Sequence, residues 1–180
     1  LLHLQLPKSI RFKVLAQPQL LGHLQSKGSS SATSKAPDSL TAFISKKKTP
    51  MPKLIDSFGA LCEDAARFDA VIGFELMPYA MIDTLEESLE MVQGADARNG
   101  GIILDLWHVV KLKIPYAQAA AIPPRFLISV EINDGFLVRP EGMEFVTETT
   151  EHRNFPGDGE FDVRGFVEAI GAAHRGRLPR

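Results

Sequence analysis

Gly101-Ile102-Ile103-Leu104-Asp105-Leu106 is an apolar run interrupted only by a carboxylate near its end. Two other stretches have the same form, Ala70-Val71-Ile72-Gly73-Phe74-Glu75-Leu76 and Phe126-Leu127-Ile128-Ser129-Val130-Glu131-Ile132. Short apolar runs without polar alternation suit strands buried on both faces. Helical patterns separate them. Leu54, Ile55, Phe58, Leu61, Cys62 and Ala65 recur at three- and four-residue steps, which predicts a helix over about 53–68. Thr84-Leu85-Glu86-Glu87 is a capping box whose helix is expected to run to about Val92 and to stop at Gly94. A short helix is expected near 116–121, a long loop over 134–160, and a last helix over 163–173 capped by Asp162. Helices alternating with buried strands give an α/β fold with parallel strands and crossover helices.

The rest of the chain is different material. Residues 1–50 hold eight lysines and arginines against one acid, Asp38, a net +7; residues 51–180 hold 12 against 21, a net −9. Residues 1–52 are therefore expected to form a weakly structured basic leader, with one short strand or helix near 10–16. Residues 28–34 are linker-like, and Lys46-Lys47-Lys48 precedes Pro50 and Pro52. A basic arm can bind nucleic acid or an anionic surface, but a solvated leader is the simpler reading. The ordered unit is expected to span 53–175. The one cysteine, Cys62, lies in an apolar run and reads as a core residue; a chain without a disulfide framework fits the reducing cytoplasm. No stretch approaches the ~18 apolar residues of a membrane span.

Glu75, Asp105 and Glu131 stand at or near the C-terminal ends of the three apolar runs. Equivalent ends of successive parallel strands converge at one rim, and like charges that close need a cation to stay ionised. Oxygen-only ligation favours Mn²⁺ or Mg²⁺. Three separate strand-end acids, each salt-bridged or solvated, fit the pattern equally. His108 follows Asp105 by three residues and can point into the same mouth as a substrate or proton-transfer group. Asp134 precedes Gly135 and is either a turn former or a partner of a ligand. Arg153 could hold a substrate hydroxyl or phosphate through its fork, and Glu160 could line the mouth; a glycine-rich surface turn is the simpler alternative for both.

The stretches Phe74-Glu75-Leu76-Met77-Pro78, Asn99 to His108, Val130 to Asp134 and Pro156 to Asp162 resemble, in order and spacing, the xylose isomerase-like barrel superfamily of sugar phosphate isomerases and epimerases. The resemblance covers about residues 54–171. It implies part of a (β/α)8 TIM barrel, with the three runs as its fifth, sixth and seventh strands and the site at their C-terminal rim. It implies metal ligands at Glu75 and Asp105. Glu131 falls where many members carry a histidine ligand. It further implies His108 and Arg153 as substrate-binding groups. A complete barrel takes about 250 residues, and neither the leader nor the tail supplies the missing strands. An open half-barrel exposes strand edges, so the chain alone is expected to be poorly stable and inactive unless two copies complete each other.

The implied activity is isomerisation or epimerisation of a sugar or sugar phosphate. A divalent metal would polarise the substrate and stabilise an enediolate, Glu75 would move the proton, and His108 and Arg153 would orient the substrate. A degenerate barrel fragment acting as a binding or assembly module is the non-enzymatic alternative. An endonuclease-like metal hydrolase is a further one, disfavoured by the acidic, histidine-poor body, for which nucleic acid is not the expected partner.

Overall fold

The computed structural model describes residues 11–15 and 49–175 apart from residue 79. Most of the expected basic leader, including residues 28–34 and 46–48, lies outside the described residues. Four strands form one sheet in the order β1-β2-β3-β4: β1 Arg11–Leu15, β2 Val71–Glu75, β3 Gly100–Asp105 and β4 Leu127–Glu131. The pairs β2·β3 and β3·β4 are parallel, as the alternation predicts. β1 is the short strand expected near 10–16, but it pairs antiparallel with β2, Arg11 opposite Glu75. Otherwise parallel sheets commonly carry such an edge strand.

Helix α1, Met51–Ala66, starts two residues before its predicted boundary, with Pro50 as N-cap and Pro52 inside the first turn. A proline fits there because first-turn amides have no intrahelical acceptor to lose. Its apolar face buries Leu54, Phe58 and Cys62 against the sheet. Burial pushes the Cys62 thiol up to about 11, the behaviour of a core residue. Helix α2, Leu85–Ala95, is capped by the Thr84 hydroxyl, which accepts from the Glu87 amide at 3.2 Å.

α2 runs past Gly94, contrary to the expected stop, and ends on Asp96 in the left-handed conformation. Gly94 serves helix packing instead: a Cβ there would stand 2.6 Å from Ile55 Cδ1 of α1. Asn99 closes this corner by donating to the carbonyls of Cys62 and Ala70, both at 2.8 Å.

Four further α-helices follow β3. α3, Leu106–Lys111, begins immediately after the strand, and α4, Tyr116–Ala120, matches the short helix expected there. α5, Phe145–Glu151, lies inside what reads as a long loop. Its three threonines and the absence of a side-chain cap weaken the helical signal. The last helix, α6 Val163–Ala173, has the predicted bounds, and Asp162 accepts from the Gly165 amide at 2.9 Å. No helix among the described residues is long and apolar enough to cross a membrane.

Strand alternation divides the sheet into two faces. Ile72, Phe74, Ile102 and Leu104 join the core beneath the helices. Glu75, Gly101, Ile103 and Asp105 occupy the alternate positions and point to the opposite face. Gly101 sits where backbone is close: a Cβ would meet the Phe126 carbonyl oxygen at 2.5 Å and Ile128 Cγ1 at 2.7 Å. Gly101→Ala should destabilise by about 1–3 kcal/mol, since the oxygen belongs to backbone that cannot swing away. Gly171→Ala in α6, where nothing lies within 4 Å, should instead stabilise by up to ~1 kcal/mol. Urea midpoints of the two variants check both signs.

Candidate metal centre

Glu75 ends β2 opposite Ile103, and Asp105 lies two residues further on β3 with the same parity, so Glu75 and Asp105 meet on the face away from the helical core. Each is 1% exposed. Asp105 also caps α3: its Oδ1 accepts from the Trp107 amide at 2.9 Å and from Asn133 Nδ2 at 2.8 Å. The helix turns at once and brings His108, three residues on, over the same face. His108 Nε2 lies 3.5 Å from Glu75 Oε1 and 3.9 Å from Asp105 Oδ2. One ligand atom from each of Glu75, Asp105 and His108 can be chosen so that all lie within 4.8 Å of one another. His108 is 1% exposed, and its Nδ1 has no hydrogen-bond partner. Two buried carboxylates and an imidazole around one point are a donor set that suits a divalent cation.

Residues 39–177 match the family described as the xylose isomerase-like TIM barrel. The chain belongs to that family. It is 32% identical over 127 residues to the 3-dehydroshikimate dehydratase of Pseudomonas aeruginosa, across 69% of this chain and 20% of the relative. It thus spans about a fifth of that relative's length. Among solved structures it resembles the IOLI protein with a bound zinc atom (TM-score 0.60, 20% identity, 72% of this chain and 47% of that one). It also resembles the 3-keto-D-glucoside 4-epimerase YcjR of E. coli (TM-score 0.52, 22% identity, 81% of this chain and 51% of that one). Both structural likenesses support the fold. The sheet is accordingly a segment of a TIM barrel, and its inner face carries the cluster.

The structure brings together Glu75, Asp105 and His108, and places the other expected site residues around them differently. Glu131 stands in register with Asp105 on β4 but is not one of the three converging residues. The converging set is therefore not oxygen-only; an imidazole takes the third place. Arg153 reaches the cluster from beyond α5. Its Nη1 donates to Asp105 Oδ2 at 2.5 Å, and Nη2 stands 3.4 Å from His108 Nε2. Burial alone would push the Asp105 carboxyl upward. Charge at His108 and Arg153, with hydrogen bonds from Asn133 and Arg153, outweighs it and holds Asp105 below the ordinary carboxylate range. Glu160 is exposed and accepts from the Leu137 amide at 2.7 Å.

Several supports were not legible from spacing. Lys111, on α3, forms an almost fully buried ion pair with Glu148 of α5 and donates to the Phe136 carbonyl at 2.5 Å. Its Nζ lies 5.2 Å from the centroid of the Trp107 ring. Asp134 resolves its two readings as a turn former. Fully buried, it accepts from Gly135 at 2.8 Å and from Gly157 and Phe161 at 2.9 Å. Its backbone also bridges Asn154. The only sequence signals for this layer were the Asp-Gly pair and the glycines at 157 and 159.

Burial of Asp134 works against ionisation, but the surrounding amides outweigh it and lower its pKa. The unfolded carboxyl, near 3.9, binds protons more readily than the folded one, so stability rises with pH through that range. Asp134→Asn should be less stable than the parent above about pH 5. The gap should close as pH falls through the lowered folded pKa. Denaturant unfolding of both proteins at several pH values measures it.

Proposed function

We propose that this chain carries the metal-binding rim of an enzyme that moves a proton beside a carbonyl in a sugar or sugar phosphate, as an isomerase or epimerase. The observation that carries the reading is the buried convergence of Glu75, Asp105 and His108 at the ends of two barrel strands. A divalent cation, when bound, supplies Lewis-acid polarisation of substrate oxygens. Of Mn²⁺ and Mg²⁺, the imidazole in the set favours Mn²⁺, and Zn²⁺ accepts the same donors. Glu131, in register beside Asp105 but outside the converging three, would serve as a further ligand only by turning toward the cation.

The residues divide the remaining work. Glu75 takes the proton from the carbon next to the carbonyl and returns it. His108, with Nδ1 lacking a hydrogen-bond partner, holds a substrate oxygen. Arg153 orients the substrate from the solvent side, and Glu160 lines the outer rim. Burial of the cluster keeps water from competing for these charges. The substrate is a small molecule met in the cytoplasm, and homo-oligomers remain compatible with the open sheet edge at β4.

A dehydratase reading is supported by one specific observation, the 32% identity to the 3-dehydroshikimate dehydratase. Dehydration beside a carbonyl can begin with the same proton removal and ends with loss of water in place of reprotonation. Both reactions therefore call on the same groups.

The purified chain should bind about one Mn²⁺, by calorimetry and metal analysis, the capacity of a single site. Glu75→Gln combined with Asp105→Asn should abolish that binding. Retention of the metal by the double variant would refute the site. Proton NMR in D₂O then separates the reactions: exchange at the carbon beside a ketose carbonyl without loss of hydroxyl supports isomerase or epimerase chemistry, and product water loss from a β-hydroxy ketone supports the dehydratase.

A further inference from the structure

We infer that Arg153 is the built-in counter-ion of the metal centre: its guanidinium and a divalent cation are alternative partners of Asp105, and metal loading drives Arg153 off that carboxylate. The inference rests on the metal-binding reading of the cluster and adds a moving part to it.

The two oxygens of Asp105 have different environments. Oδ1 is taken by the Trp107 amide at 2.9 Å and Asn133 Nδ2 at 2.8 Å, both of which hold the fold together. Oδ2 faces the cluster, 3.9 Å from His108 Nε2, and its donor is Arg153 Nη1 at 2.5 Å. A divalent ion binds carboxylate oxygen at roughly 2.0–2.6 Å, depending on the metal. A cation on Oδ2 would thus stand beside the guanidinium nitrogen, two positive centres sharing one oxygen. At such separations like charges repel strongly in a site shielded from water.

Arg153 is also mounted so that it can leave. The carboxylates and His108 are almost completely buried, whereas the Arg153 side chain is 28% exposed. Besides Asp105 and a long 3.4 Å approach of Nη2 to His108 Nε2, its holds are short-range: Nε donates to the Thr149 carbonyl at 2.9 Å and Nη2 to the Thr149 hydroxyl at 3.3 Å. Both are on the same α5 turn, so the guanidinium can swing outward while its root stays attached. In its inner position Cζ lies 5.2 Å from the Trp107 ring centroid. Trp107 is the one tryptophan of the chain and a fixed, buried reporter.

The test is a titration with Zn²⁺ and with Mg²⁺, which have no unpaired electrons, followed by calorimetry and by Trp107 emission. Arg153→Met should bind either ion about tenfold or more tighter than the parent, because a positive charge beside the site is gone. In the parent, saturation should shift Trp107 emission as the guanidinium leaves the ring, and most of that shift should be missing in Arg153→Met. Circular dichroism confirms that the variant is folded; the emission change in the parent needs no variant. Equal or weaker affinity in folded Arg153→Met, or the same emission change in both proteins, overturns the inference. If Glu75→Gln/Asp105→Asn binds the ions as well as the parent does, the metal-centre reading fails first. Loss of binding there, with no effect of Arg153, sinks only the counter-ion role.

Discussion

Two carboxylates placed side by side and shut away from water need positive charge near them. That requirement organises the C-terminal rim of this sheet. Glu75 and Asp105 are each 1% exposed, and they arrive together because parallel pairing sets Glu75 opposite Ile103, two residues before Asp105 on the same face of β3. An isolated buried carboxylate would give up its charge. Here His108 is supplied by the helix that Asp105 itself caps, and Arg153 comes from a segment 48 residues further on. Those 48 residues, with α4, β4 and α5 among them, have to fold correctly for the guanidinium to arrive. The site is thus a consequence of the global fold, while the strands that carry its acids are local.

The segment that delivers Arg153 is anchored on both sides. Asp134 gathers the amides of Gly135, Gly157 and Phe161, which ties the loop after β4 to the start of α6. Lys111 and Glu148 join α3 to α5 across a nearly dry contact. A buried ion pair of this kind gives little net stability compared with apolar packing, yet removing one member leaves the other uncompensated. Its value here is positional. It fixes α5 against the helix that carries His108, and Phe145 at the head of α5 packs on Trp107 with ring centroids 5.5 Å apart.

What could be read in the chain follows the range of the interactions. The apolar runs at β2, β3 and β4, the Thr84 and Asp162 caps and the bounds of α6 are local patterns, and they stand in the structure as read. Gly94 was misread because its reason is tertiary: α2 presses on Ile55 of α1, and a side chain would obstruct it. Pro50 and Pro52 fall within the expected leader, whereas they open α1. α5 was lost among threonines whose helix owes its place to Lys111 and Trp107. The convergence of Glu75 with Asp105 follows from strand parity and parallel order. Asn133, Lys111 and Glu148 could not be assigned that way, since nothing in their neighbourhoods marks a partner 28 or 37 residues distant.

Asp105 joins these two levels. One of its oxygens starts α3 and holds Asn133, tasks that any ligand state must leave intact. The other meets the reactive side of the cluster. A residue that gave both oxygens to the fold could not exchange partners without loosening β3 and α3, and one that gave both to the cluster would not fix where His108 points. Dividing them lets the charge balance at Oδ2 change while the backbone around Oδ1 stays still. The proposed exchange also accounts for a half-buried arginine as partner in place of a fully buried one: the partner has to be strong enough to compensate Asp105 and loosely enough mounted to yield.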